Sequence, residues 1–138
     1  MTNMDDLVIG IKEHEGFRGK VYEDHLGFPT VGYGTKMPLT KKEATVLLRL
    51  RLTEMVEELF MKRSIFRRLP VEAQNILAEM AYQMGVPNLM KFRKTWAFLE
   101  EHEFIEASIE MLDSQWHKQT PSRAKELSKR MKQIKTQG

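Results

Sequence analysis

Glu15, Asp24 and Thr30 fall within one short stretch, with eight residues between the two acids and five between Asp24 and Thr30. The acids have contrasting neighbours. Glu15 follows Ile11 by four positions and so extends the apolar stripe of Met4, Leu7, Val8 and Ile11, where burial would favour a neutral, proton-bearing carboxyl. Asp24 stands in a polar, glycine-rich turn, where a carboxylate stays ionised. A protonated acid beside a charged carboxylate is what cleavage of a glycosidic bond requires: one group protonates the leaving oxygen and the other serves the incoming water. The Thr30 hydroxyl could position that water. A plainer reading stands beside this one. Two acids and a threonine around a hairpin are common, and a Glu at a helix end can simply pair with Arg18. Residue types alone leave both open.

The elements that must hold these residues are legible from periodicity. Residues 4–14 predict an amphipathic helix, capped by Asn3 and stopped at Gly16, with Asp5 and Asp6 at its positive end. Between 17 and 34, Val21-Tyr22, Phe28 and Thr30-Val31-Gly32-Tyr33 have strand character, and five of the eight glycines fall at 16–34. That combination predicts a small twisted antiparallel sheet with tight turns. Thr40-Lys-Lys-Glu43 is a capping box. Ala44, Leu47, Leu48, Leu52, Met55, Val56 and Leu59 then keep helical spacing to about Phe60. The rest reads as helical. A broad apolar face (Ala73, Ile76, Leu77, Met80, Ala81, Met84) ends at Gly85, shorter segments follow near 87–91, 94–102 and 104–112, and Pro121 opens a last basic helix.

The expected fold class is therefore α+β: a small N-terminal lobe with a short antiparallel sheet, a long connecting helix and a larger all-helical C-terminal lobe. We expect one catalytic domain over 1–138, with lobes at about 13–60 and 61–138 and the N-terminal helix packing on the C-terminal lobe. A cleft between two such lobes suits an extended substrate.

The chain has 138 residues, no cysteine and a net charge of +3. Thiolate chemistry and disulfide stapling are excluded. His14, His25, His102 and His117 lack the spacing of a metal site, so no metal and no cofactor is expected. No apolar run approaches a membrane span. Met1-Thr-Asn-Met-Asp-Asp has none of the features of an export signal, and the expected location is the cytoplasm. Charge is uneven: residues 121–138 carry +5, which leaves −2 for the rest. A basic end suits an anionic partner, and a membrane- or lipopolysaccharide-active helix is one reading of it. Beyond charge, nothing supports nucleic-acid binding.

Taken together, Glu15, Asp24 and Thr30 at these spacings, Glu15-Gly16 before Arg18, Tyr22 ahead of Asp24, and Gly32-Tyr33-Gly34 resemble the phage-type lysozymes of glycoside hydrolase family 24. That family carries Glu, then Asp or Cys, then Thr at the same intervals. The likeness continues through Leu39-Thr40-Lys-Lys-Glu-Ala and Tyr82-Gln83-Met84-Gly85, and resumes at Trp116-His-Lys-Gln119-Thr120-Pro121-Ser-Arg123-Ala124-Lys125.

The resemblance implies a lysozyme-like fold and hydrolysis of the β-1,4 bond between N-acetylmuramic acid and N-acetylglucosamine in peptidoglycan, with inversion. It makes Glu15 the acid, with Asp24 and Thr30 placing the water. It implies substrate contacts at Tyr82, Thr95, Lys36 and Glu110, although Lys36 and Glu110 depart from the family's residue types. Gln83, Trp116, Gln119 and Arg123 are expected behind the site, in packing and hydrogen bonding. The segment Thr35–Leu39 is shorter than the family's, and Thr35 stands where a His is common. The partner implied is bacterial peptidoglycan. We expect a monomer of the host cytoplasm that reaches the wall after holin-type permeabilisation, with a secondary anionic membrane or lipopolysaccharide contact through 121–138. The alternatives are a lytic transglycosylase, which Asp24 and Thr30 argue against, and a non-catalytic wall-binding module.

Overall fold

A computed structural model of the chain describes residues 1–135; the last three residues of the basic 121–138 segment lie outside the described residues. The chain divides into two compact units, Met1–Leu47 and Leu48 onward.

The first unit opens with α1 (Met4–Glu15). Asn3 caps it by accepting a hydrogen bond from the Asp6 amide at 3.1 Å, and the Gly16 N–H closes the last turn on Lys12 O. Helix α1 buries none of its side chains; Met4, Leu7, Val8 and Ile11 are all exposed. The caps and the internal ladder hold this helix within the unit, and its apolar stripe does not. Strands β1 (Arg18–Glu23), β2 (Pro29–Gly32) and β3 (Thr35–Lys36) form an antiparallel sheet in the order β1-β2-β3. The two-residue β3 is a departure from the sequence reading, which takes Thr35–Leu39 as a connecting segment. So short a strand carries no alternation of its own, and only its pairing with Thr30 and Val31 defines it.

The register across the sheet decides which side chains share a face. Thr30 lies opposite Tyr22 of β1 on one side and Lys36 of β3 on the other. Directly paired residues present their side chains to the same face. Tyr22, Thr30 and Lys36 thus make a row across it.

Helix α2 (Lys41–Lys62) begins with the expected capping box. The Thr40 amide donates to Glu43 Oε1 at 2.9 Å, and the Glu43 amide donates to Thr40 Oγ1 at 3.1 Å. Of its apolar positions only Leu59 is fully buried, with Met55 and Val56 packed partly against the core.

The second unit continues through a 3-10 turn at Ser64–Arg68 and six further helices: α3 (Val71–Met84), α4 (Val86–Met90), α5 (Arg93–Glu100), α6 (Phe104–Leu112), α7 (Gln115–Gln119) and α8 (Pro121–Lys132). The 3-10 turn and α7 are not among the sequence expectations. Helix α7 starts where Ser114 Oγ accepts the His117 amide at 3.1 Å, a cap too short in sequence to announce a helix. Helix α6 packs against α5 and α8, and α3 packs against α4 and α8. Trp96, Phe66, Leu59, Ile76, Leu77 and Met80 are among the side chains fully enclosed there. Two polar contacts are buried with them: Trp96 Nε1 donates to Leu89 O at 3.0 Å, and Ser128 Oγ donates to Ser108 O at 2.8 Å. The apolar side of α8 (Ala124, Leu127, Met131) belongs to this core.

Candidate active site

The loop between β1 and β2 is wound around one carboxylate. Asp24 Oδ1 accepts the amides of Leu26 at 2.9 Å and Phe28 at 2.8 Å. The backbone closes the same loop: the Asp24 amide donates to Phe28 O and the Gly27 amide to Asp24 O, each at 2.9 Å. Gly27, at φ +86°, takes the left-handed conformation that the reversal needs. Asp24 Oδ2 accepts a hydrogen bond from Lys36 Nζ, so the pair is also a salt bridge. The Lys36 ammonium first, then the Phe28 and Leu26 amides, pull the Asp24 carboxyl from an ordinary 3.8 down to about 2 against a smaller opposing effect of desolvation. A carboxylate here is expected from the sequence. That both its oxygens are already occupied is not.

Glu15 sits at the end of α1, next to Gly16 and the start of the sheet. Its side chain is exposed, which corrects the burial expected from its place on the apolar stripe. The physical reason is the uncovered face of α1: a stripe that buries nothing within its unit does not cover the residue at its end. Nor does Glu15 pair with Arg18. The Arg18 guanidinium lies over the Tyr22 ring instead, 4.3 Å from its centroid.

Glu15 is positioned by Gly34. A Cβ at residue 34 would lie 2.8 Å from Glu15 Cδ and 2.9 Å from Oε2, and the backbone there has φ +74°. Glycine takes this conformation without strain, and a Cβ there would oblige the Glu15 carboxyl to shift. Tyr33, next to it, packs on Phe17 with ring centroids 5.5 Å apart, and Lys12 of α1 reaches over the same Tyr33 ring at 5.1 Å. These contacts tie the end of α1 to the β2–β3 turn.

Thr30 is fully buried, and its hydroxyl donates to Phe28 O at 2.8 Å. Its proton is therefore committed to the Asp24 loop, and its lone pairs are what it can offer to a water. Lys36 is exposed and held to Asp24. Its pKa is raised by the hydrogen bond to Asp24 first, with further contributions from the charges of Asp24, Glu15 and Tyr22. The structure thus gathers Glu15, Asp24, Thr30 and Lys36 around one small sheet.

The other expected contact residues belong to the second unit. Thr95 on α5 and Glu110 on α6 line one cavity of about 670 Å³, together with Gln83, Asp113 and Trp116. Trp116 Nε1 donates to Gln83 Oε1 at 2.9 Å, and the indole is buried against Phe92. Gln119 lines the same cavity. The packing role expected of Gln83 and Trp116 agrees with this contact, and both also face open space. Tyr82 does not line that cavity; it borders a separate groove with Arg51, Glu54 and Glu58. Among the described residues no group of three or more His, Cys, Asp or Glu side chains comes close enough to hold a metal ion.

Two contacts at the candidate site escape the sequence reading. The role of Gly34 has a signal in sequence, a glycine bracketing Tyr33 with Gly32, but not the identity of the side chain it admits. The Lys36–Asp24 pair has none, because the two residues are twelve apart and meet only through the β2–β3 register.

The family model described as Phage lysozyme matches residues 12–133. Among curated relatives, the chain is 39% identical to a protein named Probable T4-type lysozyme 2 of Dictyostelium discoideum, over 44% of this chain and 36% of that one. It is 25% identical to Probable T4-type lysozyme 1 of the same organism, over 83% of this chain and 86% of the relative. It is also 27% identical to the pre-baseplate central spike protein Gp5 of Enterobacteria phage T4, over 83% of this chain and 25% of the spike protein. The matched stretch thus spans about a third of the first of these relatives and a quarter of the spike protein.

Proposed function

Since the chain belongs to the phage lysozyme family, we propose that it is a peptidoglycan hydrolase that cleaves the β-1,4 bond between N-acetylmuramic acid and N-acetylglucosamine with inversion. Glu15 donates a proton to the glycosidic oxygen as the bond to the anomeric carbon breaks. Asp24 and Thr30 place the attacking water on the opposite face, with the Asp24 charge stabilising the cationic character that develops on the sugar. The Thr30 oxygen, whose own proton goes to Phe28 O, accepts a hydrogen from that water.

The observation that carries this reading is the placement of the three groups around one small sheet, Glu15 at its β2–β3 turn and Asp24 and Thr30 at its β1–β2 loop. Gly34 admits the Glu15 carboxyl, and the loop that closes on Asp24 also receives the Thr30 hydroxyl through Phe28. In this reading Tyr82, Thr95 and Glu110 contact the glycan or its peptide. The biological role that fits is lysis of a bacterial host from within, by a monomer that gains the wall once the membrane has been permeabilised.

The test is lysis of outer-membrane-permeabilised Gram-negative cells by the wild type and Glu15→Gln, with released fragments analysed by mass spectrometry. Wild-type clearing with hydrated, reducing muropeptides is the expected result. The Glu15→Gln variant should fold and lose about 10²–10⁴-fold in rate. Fragments lacking one water would identify a lytic transglycosylase instead. Equal clearing by both proteins without glycan fragments would transfer the lysis to the basic face of 121–135, whose apolar side is already used in the core.

A further inference from the structure

The resemblance makes Lys36 a substrate contact, yet the structure gives its ammonium a different partner. Asp24 has two oxygens, and the site uses both. Oδ1 takes the amides of Leu26 and Phe28, and Oδ2 takes Lys36 Nζ. The loop amides leave Oδ2 without a partner of its own, and Lys36 supplies it. A charged donor on the second oxygen makes the carboxylate a three-point contact with one orientation. The register that places Lys36 opposite Thr30 sets this donor on the face that also carries the Thr30 and Tyr22 side chains.

We propose that Lys36 is a positioning residue for the hydrolytic reaction, clamping Asp24 from β3 so that the carboxylate is held charged and in one orientation beside Thr30. The inference rests on the lysozyme reading for its catalytic meaning, and the clamp itself can be tested without substrate. The groups that bear on the pair are few. Lys36 feels Asp24, Glu15 at the end of α1, and Tyr22 of β1. Asp24 feels Lys36 first, then the Phe28 and Leu26 amides. The Lys36 ammonium favours the charged form of Asp24, as an opposite charge bonded to a carboxylate does.

The experiment compares the full-length wild type with Lys36→Met and Lys36→Arg. The carbon chemical shift of the Asp24 carboxyl is followed against pH without substrate, and glycan cleavage is followed against pH with it. The expected wild-type carboxyl midpoint is about 2. In Lys36→Met it should rise toward the ordinary carboxylate value. Lys36→Arg should keep it low, because a guanidinium also donates to Oδ2. In cleavage, Lys36→Met should lose about tenfold to a hundredfold in kcat, the cost of a mispositioned group. Its acid limb should move to higher pH, with Lys36→Arg recovering most of the loss. An Asp24 midpoint unchanged by Lys36→Met would overturn the clamp. So would a higher KM at unchanged kcat and unchanged acid limb, which would make Lys36 a substrate contact. A wild type that cleaves no glycan, with a midpoint that still moves in Lys36→Met, would uphold the clamp and reject the lysozyme reading.

Discussion

Among the described residues, every fully buried apolar side chain belongs to the unit that begins at Leu48, and Glu15, Asp24, Thr30 and Lys36 all belong to the unit that precedes it. The first unit buries one residue completely, and that residue is Thr30, a polar one. Its order comes from directed contacts, most of short sequence range: a capped helix, a carboxylate bonded to its own loop and a capping box, with an ammonium brought to that carboxylate by the strand register. The second unit derives its order from area removed from water, at roughly 25 cal/mol for each Å² of apolar surface, with Trp96, Phe66 and the aliphatic residues around them closely packed. Chemistry needs lone pairs and charges at fixed directions, and hydrogen bonds supply direction. Stability needs bulk burial, which has no direction. The difference between the units is this division of physical roles.

Three experiments would break or sharpen that contrast. The largest effect is expected in the second unit. Phe66→Ala empties a fully buried site and should cost about 3–5 kcal/mol in urea unfolding of the full chain. Val46→Ala, on an exposed part of α2 in the first unit, should change stability by no more than about 0.5 kcal/mol. Equal costs would show that the first unit also relies on apolar burial at this position.

Next comes Gly34→Ala, which places a methyl 2.8 Å from Glu15 Cδ and forces an L-residue to φ +74°. Backbone strain of about 1–2 kcal/mol is expected. The loss of cleavage rate should be larger in proportion, about a hundredfold, because the displaced group is the proton donor of the proposed reaction. A variant with unchanged kcat would show that Glu15 does not depend on this close approach.

The smallest effect concerns pH. The folded value of Asp24, about 2, lies below its ordinary 3.8. Its contribution to stability is thus complete above the ordinary value and disappears as pH falls through about 2. Acid should therefore loosen the Asp24 loop before it reaches the helical core. Amide exchange of Leu26 and Phe28 measured between pH 4 and 2, against amides of α3 and α6, checks the order. Simultaneous loss of protection would mean that the loop is not held by this carboxylate.

Much of the fold is legible in local signals. The start of α1 at Asn3, the box at Thr40 and Glu43, the first turn at Pro121 and the strand character of 17–34 are all satisfied by residues within a few positions of one another. The spacing of Glu15, Asp24 and Thr30 is equally visible. Periodicity misleads on the burial of Glu15 because it shows which residues share a face and not whether anything covers that face. Helix α7 escapes because five residues contain too little periodicity to register. Strand β3 escapes because two residues have no pattern until a neighbour pairs with them.

The amino-acid sequence by itself determined the family, the α+β order of elements, the helix ends and the intervals that separate Glu15, Asp24 and Thr30. These depend on residue type and on position along the chain, which do not change with folding. The tertiary structure alone decided that Lys36 meets Asp24, that Gly34 makes room for Glu15, and that Thr30 turns its proton toward Phe28. Each is a contact whose energy depends on distance and direction. Strand register and backbone conformation set both, and neither is written in the spacing of residue types.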